Sequence, residues 1–397
     1  MVLSKFTKLL FCVWLLGVGV PLPGTGHARE IPVPAAVNEE LDQLLRLVGP
    51  GRVPDLKSVL AEKVLEFVAA EKDPAARYQP SPIDAATPAY YEFDIATGLD
   101  RILQYAYSPR IPSSAMMPSS VRWSYWMGPD LQKQPQPDLF RLKTTASLPL
   151  TVRGAEHLEI TPDLFSGAYY SYDEDKTFVL LRHEGQEVMI SLSRQRAPSD
   201  VGRKGQVLGA DDDWNYFYSG LKGLGMPGLG WVKSHMFDAF AVTVFIQQKS
   251  PNYGIRTRCG IFKWLRAGWA DMNLVRSKHV YRGLQRYAGS FQRILEFPAL
   301  PSPDNLTAAF ASLEHMPLAE LMAQGRIYFK RLADLSDGED PVLKKEFAKL
   351  LASEDYLKGM NRDEMVSIQV LEHMKFLLGK NRVLDGRTLL GRGISQR

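Results

Sequence analysis

The chain has 397 residues, 48 Lys and Arg against 44 Asp and Glu, and two cysteines. A net charge of +4 over that length excludes a dedicated nucleic-acid binder, which needs a strongly basic surface. Two cysteines exclude a disulfide-stapled scaffold, and the length supports buried cores in about two domains.

The first 28 residues read as a secretory leader. Lys5 and Lys8 precede an apolar run from Leu9 through Trp14 to Val20, then Pro21, Pro23 and a small-residue exit at Gly26-His27-Ala28. The run is too short for a bilayer core, which takes roughly 20 helical residues. No Arg-Arg pair precedes it. Phe11 spoils Leu9-Leu10-Phe11-Cys12 as a lipidation box. The expectation is a Sec-type signal over 1–28 and a mature chain from Arg29, placed in the periplasm or outside the cell. Such a chain carries a net charge of +2 and one thiol, Cys259, expected as a buried small hydrophobe. It also sits away from nucleotide cofactors.

Residues 38–48 and 54–70 read as a helical pair split by Gly49-Pro50-Gly51, with Leu56, Val59, Leu60, Val64, Phe67 and Val68 on one face. Ten prolines between Pro74 and Pro137 leave room for a helix over Asp94–Tyr107 and a strand over Val121–Trp126. Ala168–Tyr172, Thr177–His183 and Glu187–Ser193 predict an antiparallel meander, with Asp173-Glu174-Asp175 and Glu184-Gly185-Gln186 as turns. Phe240–Ile246, apolar on both sides, predicts a central covered strand. Ile255–Leu265 alternates, placing Arg256 and Arg258 opposite Ile255, Thr257 and Cys259. From Ser302 the period is helical, with helices near 317–333, 341–352 and 362–378. Charge there balances at 14 acids and 14 bases over 304–397.

Several motifs fail on their own physics. Gly223-Leu224-Gly225-Met226-Pro227-Gly228 spells a dinucleotide fingerprint, but Pro227 and the strand-like residues after it deny the pyrophosphate a helix N-terminus. His183-Glu184-Gly185-Gln186-Glu187 lacks a second histidine, and the mature histidines are scattered, so no metal is expected. Asp211-Asp212-Asp213 has Tyr216 and Lys222 where a calcium loop needs glycine and an acid, leaving a solvated turn.

One stretch stands out. Residues 206–297 hold 16 aromatic residues, including four tryptophans, and the part from Asn252 to Phe297 has nine bases against two acids. A helix over 274–296 sorts Val280, Tyr281, Leu284, Tyr287, Ala288, Phe291, Ile294 and Leu295 to one side. Lys278, Arg282, Arg286 and Arg293 fall on the other. Like charges four apart repel, so either nearby acids or an external anion must neutralise them.

The fold expected is α+β: a central antiparallel sheet flanked by an N-terminal helical pair and a C-terminal helical region. The divisions are the signal (1–28), the helical pair (29–72), a β-rich domain ending in the basic helix (73–297), a helical domain or cap (298–379) and a tail (380–397). The function expected is non-catalytic: an exported protein binding an anionic envelope lipid, polysaccharide or acidic protein. Its site would comprise Lys278, Arg282, Arg286, Arg293, Arg256, Arg258, Trp264 and Trp269, with no cofactor, no nucleic acid and no transmembrane span after cleavage. The alternative is a secreted polysaccharide hydrolase drawing paired carboxylates from Asp173, Glu174 and Asp211–Asp213.

Overall fold

The structure, a computed structural model, describes residues 29–49, 61–128, 130–226, 230–250, 254–335 and 355–384. The expected leader, the first part of the helix expected at 54–70, the helix expected at 341–352 and most of the tail lie outside these residues.

The chain opens with β1 (Arg29–Pro32), α1 (Ala35–Leu45), α2 (Glu62–Ala69) and β2 (Ala76–Gln79), followed by β3 (Thr87–Ile95). Then come α3 (Leu99–Ala106), α4 (Ser113–Met116), β4 (Val121–Met127), β5 (Lys133–Gln134), α5 (Leu139–Thr145) and β6 (Leu150–Ile160). The middle continues with β7 (Ala168–Tyr169), β8 (Ser171–His183), β9 (Gln186–Gln195), β10 (Arg203–Val207), β11 (Tyr216–Lys222), β12 (Leu224–Met226) and β13 (Gly230–Val232). Two long strands, β14 (His235–Ser250) and β15 (Gly254–Gly268), lead into α6 (Ser277–Leu295). The end is helical: α7 (Pro303–Glu314), α8 (Leu318–Leu335), α9 (Asp355–Gly359) and α10 (Arg362–Leu377).

Eight strands form one antiparallel sheet in the order β3-β15-β14-β9-β8-β6-β4-β5, so the fold is α+β as expected. From β4 onward the sheet is a meander of neighbours. The first strand, β3, instead pairs with the last, β15, so the chain crosses the whole sheet between β3 and β4. That crossing carries α3 and α4 over the same face that α6 covers. Glu184 and Gly185 turn β8 into β9 with φ of 50° and 78°, the left-handed geometry a two-residue hairpin demands.

The two faces of the sheet differ. On one, Val188, Ile190 and Leu192 of β9, Phe240, Val242, Val244 and Ile246 of β14, and Phe262 and Trp264 of β15 pack under α1 and α2. Helix α1 supplies Val37, Leu41 and Leu44 to that layer, and α2 supplies Val64, Leu65 and Val68. Each such side chain contributes about 1.5–3 kcal/mol on burial. On the other face, α3, α6 and the C-terminal helices close a larger core. Two buried ionic clusters lock the C-terminal helices on. Arg122 of β4 binds Glu159 of β6 and, at 2.9 Å, Glu364 of α10. Glu372 and Asn215 hold Lys375 at 2.8 and 2.7 Å, while Glu372 also accepts the backbone N–H of Val383 and Leu384.

Three expectations shift. The sheet begins at Thr87, and the segment expected as one helix from Asp94 is strand to Ile95 and helix only from Leu99. Asp94 keeps its strand geometry because β15 pairs with it and supplies Arg256 and Arg258 as counter-charges. Asp173-Glu174-Asp175 is strand within β8, not turn, because all three pair in register with β6 and each carboxylate has a partner: His157, Lys176 and Arg196 respectively. The residues expected as one strand over Ala168–Tyr172 divide between β7, which pairs with β10, and the start of β8.

Candidate functional site

Alternation along the strands assigns every inward residue to one face. On the α1/α2 face of the central strands, Val242, Val244, Ile190, Leu192, Thr177, Val179, Phe262 and Trp264 are all buried. On the α6 face of the same strands, Lys263, Ala241, Thr243, Ser191 and Lys176 all retain solvent access. A helix-covered face at the middle of an eight-stranded sheet exposes side chains to water only where the covering leaves a hollow. These partly exposed polar and small side chains, set among the buried residues of that face, mark the candidate site.

Register builds its floor. One cross-strand row reads Ala89, Lys263, Ala241, Ser193, Lys176, Gly154. Three strand spacings separate Lys263 from Lys176, about 14 Å between Cα atoms, and only Ala241 and Ser193 stand between them. Two long cations thus face each other across small side chains. The next row adds Glu174 and Glu156, directly opposite one another on β8 and β6. Lys176 bonds both carboxylates, Glu156 closely and Glu174 at 3.1 Å. Ser113 of α4 donates to Glu156 from above at 3.5 Å.

Aromatic residues make the walls. Tyr107 lies edge-on to Phe178 and Phe245, its hydroxyl beside Ser191. Tyr287 of α6 packs against Phe93 and Phe291, and burial beside Tyr107 pushes its hydroxyl well above the usual value. At the β4 side, Trp126 stacks on Phe178 and lies over Gly154, where an added Cβ would stand 1.9 Å from the indole. Gly154 is glycine because the indole occupies that space.

The two lysines differ in their electrostatics. Burial opposes the charge on Lys176, yet Glu156 and Glu174 beside it hold its ammonium well above the ordinary range. Burial lowers Lys263 from 10.5; Glu174 partly restores it and Lys176 depresses it further. Lys263 makes no hydrogen bond or ion pair with any described residue. Burial of an ammonium that no described residue bonds disfavours its charged form.

The basic residues singled out from sequence separate into three groups. Arg256 and Arg258 lie beside α2 and are tied to Asp94, each at 3.2 Å, and Arg258 also to Glu92 at 2.7 Å. Arg286 is held by Asp211 at 2.7 Å and donates to the Pro162 carbonyl at 3.0 Å, and Arg293 binds Asp212. The acids that neutralise α6 therefore come from the Asp211–Asp213 turn. Partial burial works against the charge on Asp212, but Arg293 and Lys380 beside it keep its carboxyl below its ordinary value. Trp264 is 1% exposed, its indole donating to the Ser81 carbonyl in the α1/α2 core, while Trp269 is half-buried. Only Lys278 and Arg282 project freely into solvent.

Sequence reasoning missed Lys263, Lys176 and Glu156. One signal was present: Lys263 follows Cys259 and Ile261 on the inward alternation of β15, where a lysine breaks an apolar row. Its partners lie 87 and more residues earlier in the chain and are visible only through register. Among the described residues, no group of His, Cys, Asp and Glu is arranged to hold a metal ion. No helix among them is long and apolar enough to cross a membrane. No family model matches the chain, and no curated protein matches it either.

Proposed function

We propose that this chain is an exported, non-catalytic binding protein that holds an anionic small molecule of the cell envelope between the sheet and α6. Export rests on the leader pattern of residues 1–28. Binding rests on one observation: among the described residues Lys263 forms no ion pair, and it stands on the α6 face beside small side chains, with tyrosine and tryptophan nearby. A ligand carrying a carboxylate, sulfonate or phosphate would pair with Lys263, and its apolar body would meet Tyr107, Tyr287 and Phe178. Charge-assisted hydrogen bonds of this kind contribute about 1.5–3 kcal/mol.

The anionic aromatic probe 8-anilinonaphthalene-1-sulfonate tests the reading by fluorescence titration. Lys263→Met is expected to weaken saturable binding by at least about tenfold, the equivalent of 1.4 kcal/mol. Equal affinity in the folded variant would remove the pocket as the binding site.

The second reading, glycoside hydrolysis, has a specific observation in its favour. Glu156 and Glu174 each touch one ammonium, so their nearest oxygens lie within about 6 Å, two hydrogen-bond lengths, close to the separation retaining enzymes use. Lys176, however, fills the space between them where a scissile bond would have to sit. Of the carboxylates named from sequence only Glu174 lies here, and three others are engaged elsewhere: Asp173 with His157, Asp211 with Arg286, Asp212 with Arg293 and Lys380.

A further inference from the structure

A second surface stands apart from the pocket, where the turn between β6 and β7 meets the first turn of α6. Phe165 is 73% exposed and Leu164 52%, the former the most exposed large apolar residue among those described. Nothing in the fold requires them there, yet the turn that carries them is rigid. Asp163 accepts the backbone N–H of Phe165 and Ser166 at 2.7 and 2.6 Å, and Lys204 braces the far side through the Ser166 carbonyl at 2.8 Å. Phe165 stacks on His279 with ring centroids 4.2 Å apart, which fixes the turn against α6.

Cations surround that stack. Arg276, Lys278 and Arg282 are all exposed, and none forms an ion pair with a described residue. Their fields converge on His279, each disfavouring its protonated form after burial has done so first. Two acids lie close by and both are occupied: Asp163 by its own turn, Asp271 by Arg266. Met272 and Leu274, on the segment that enters α6, add exposed apolar area at 44% and 45%. Apolar side chains held outward beside three unpaired bases match the chemistry of an anionic bilayer, with a charged headgroup layer over a hydrocarbon interior.

We infer that the protein docks on anionic phospholipid membranes through this corner, with Phe165 and Leu164 entering the interface and Arg276, Lys278 and Arg282 engaging headgroups. The inference does not depend on the pocket, since none of these residues lines it.

Sedimentation with extruded vesicles tests it, comparing pure phosphatidylcholine with a mixture containing about a third phosphatidylglycerol. The full mature chain is expected to partition onto the mixed vesicles and not the neutral ones, and to be released by added salt. Lys278→Gln with Arg282→Gln should lower the partition coefficient by about 10- to 30-fold, at about fivefold for each charge near the surface. Phe165→Ser, with both bases kept, should lower it about tenfold by removing inserted apolar area. All three positions are exposed, so circular dichroism should show folded variants. Equal binding to both vesicle types, undiminished binding of the variants, or binding to poly-glutamate in place of vesicles would overturn the inference.

Discussion

The two faces of the central sheet are made from the same strands, and their cores differ in kind. Under α1 and α2, β9, β14 and β15 present branched and aromatic side chains that leave no access for water. Under α6 the same strands present lysine, serine, threonine and alanine around a hollow. Period-two alternation lets one strand serve both purposes, because substitutions on one face leave the other untouched. Both faces carry core, the α6 side the larger one, but only the α6 face interrupts its core with partly exposed polar and small side chains.

The largest effect should come from breaking the sealed side. Phe262 is completely buried and packs between Tyr90, with ring centroids 4.6 Å apart, and Phe67 at 5.9 Å. Phe262→Ala should cost about 3–5 kcal/mol, combining lost transfer energy with an unfilled cavity. Urea denaturation of wild type and variant would measure it, with the shift appearing in the midpoint while the slope is unchanged. A loss below about 1 kcal/mol would mean that the α1/α2 face contributes little to stability.

Lys263 gives an intermediate effect whose size depends on pH. Its folded-state pKa is lowered from 10.5, chiefly by burial, so the folded protein disfavours its charged form. Below the folded value both states are protonated and the penalty is present in full. As pH rises through the folded value toward 10.5, the unfolded chain binds the extra proton, and the penalty is relieved. Lys263→Met should therefore equal or exceed wild type in stability near neutral pH, with the gap closing as pH approaches 10.5. Paired thermal melts at pH 7 and 10 would show it. A variant less stable than wild type at pH 7 would mean that Lys263 is paired after all.

Much of the architecture was legible because it is local. The inward stripe of α6 is a periodicity any window of the chain displays, and the Glu184-Gly185 hairpin needs only its two turn residues. Ser302 before Pro303 signalled a helix start, and the Ser302 hydroxyl accepts the Asn305 N–H at 3.3 Å. The pocket was illegible because it is a product of register. Glu156, Glu174, Lys176 and Lys263 lie on three strands, and nothing within any one strand states which row its residues join. The same limit misled the reading of charge. Nine bases between Asn252 and Phe297 look like one surface in a sequence. In space Arg256, Arg258, Arg286 and Arg293 each meet an acid from a distant segment, and the exposed free charge contracts to the start of α6, with Lys263 apart on the sheet.

The smallest effect is the sharpest comparison, because it uses one chemical change at two sites. Thr177 faces the sealed side of β8, where its hydroxyl donates to the Leu47 carbonyl at 3.0 Å, out of reach of water. Thr243 faces the pocket from β14, retains solvent access and has no hydrogen-bond partner among the described residues. Valine is nearly the same size as threonine, so either substitution changes the hydroxyl and little else. At Thr177 the change leaves a buried carbonyl without its donor and should cost about 1–2 kcal/mol. At Thr243 it removes a hydroxyl that no described residue bonds and that keeps solvent access, and stability should move by no more than about 0.5 kcal/mol. Denaturation of the two variants side by side reads the difference directly. If Thr243→Val proved as costly as Thr177→Val, its hydroxyl would have to be buried and bonded, and the hollow beneath α6 would be closed.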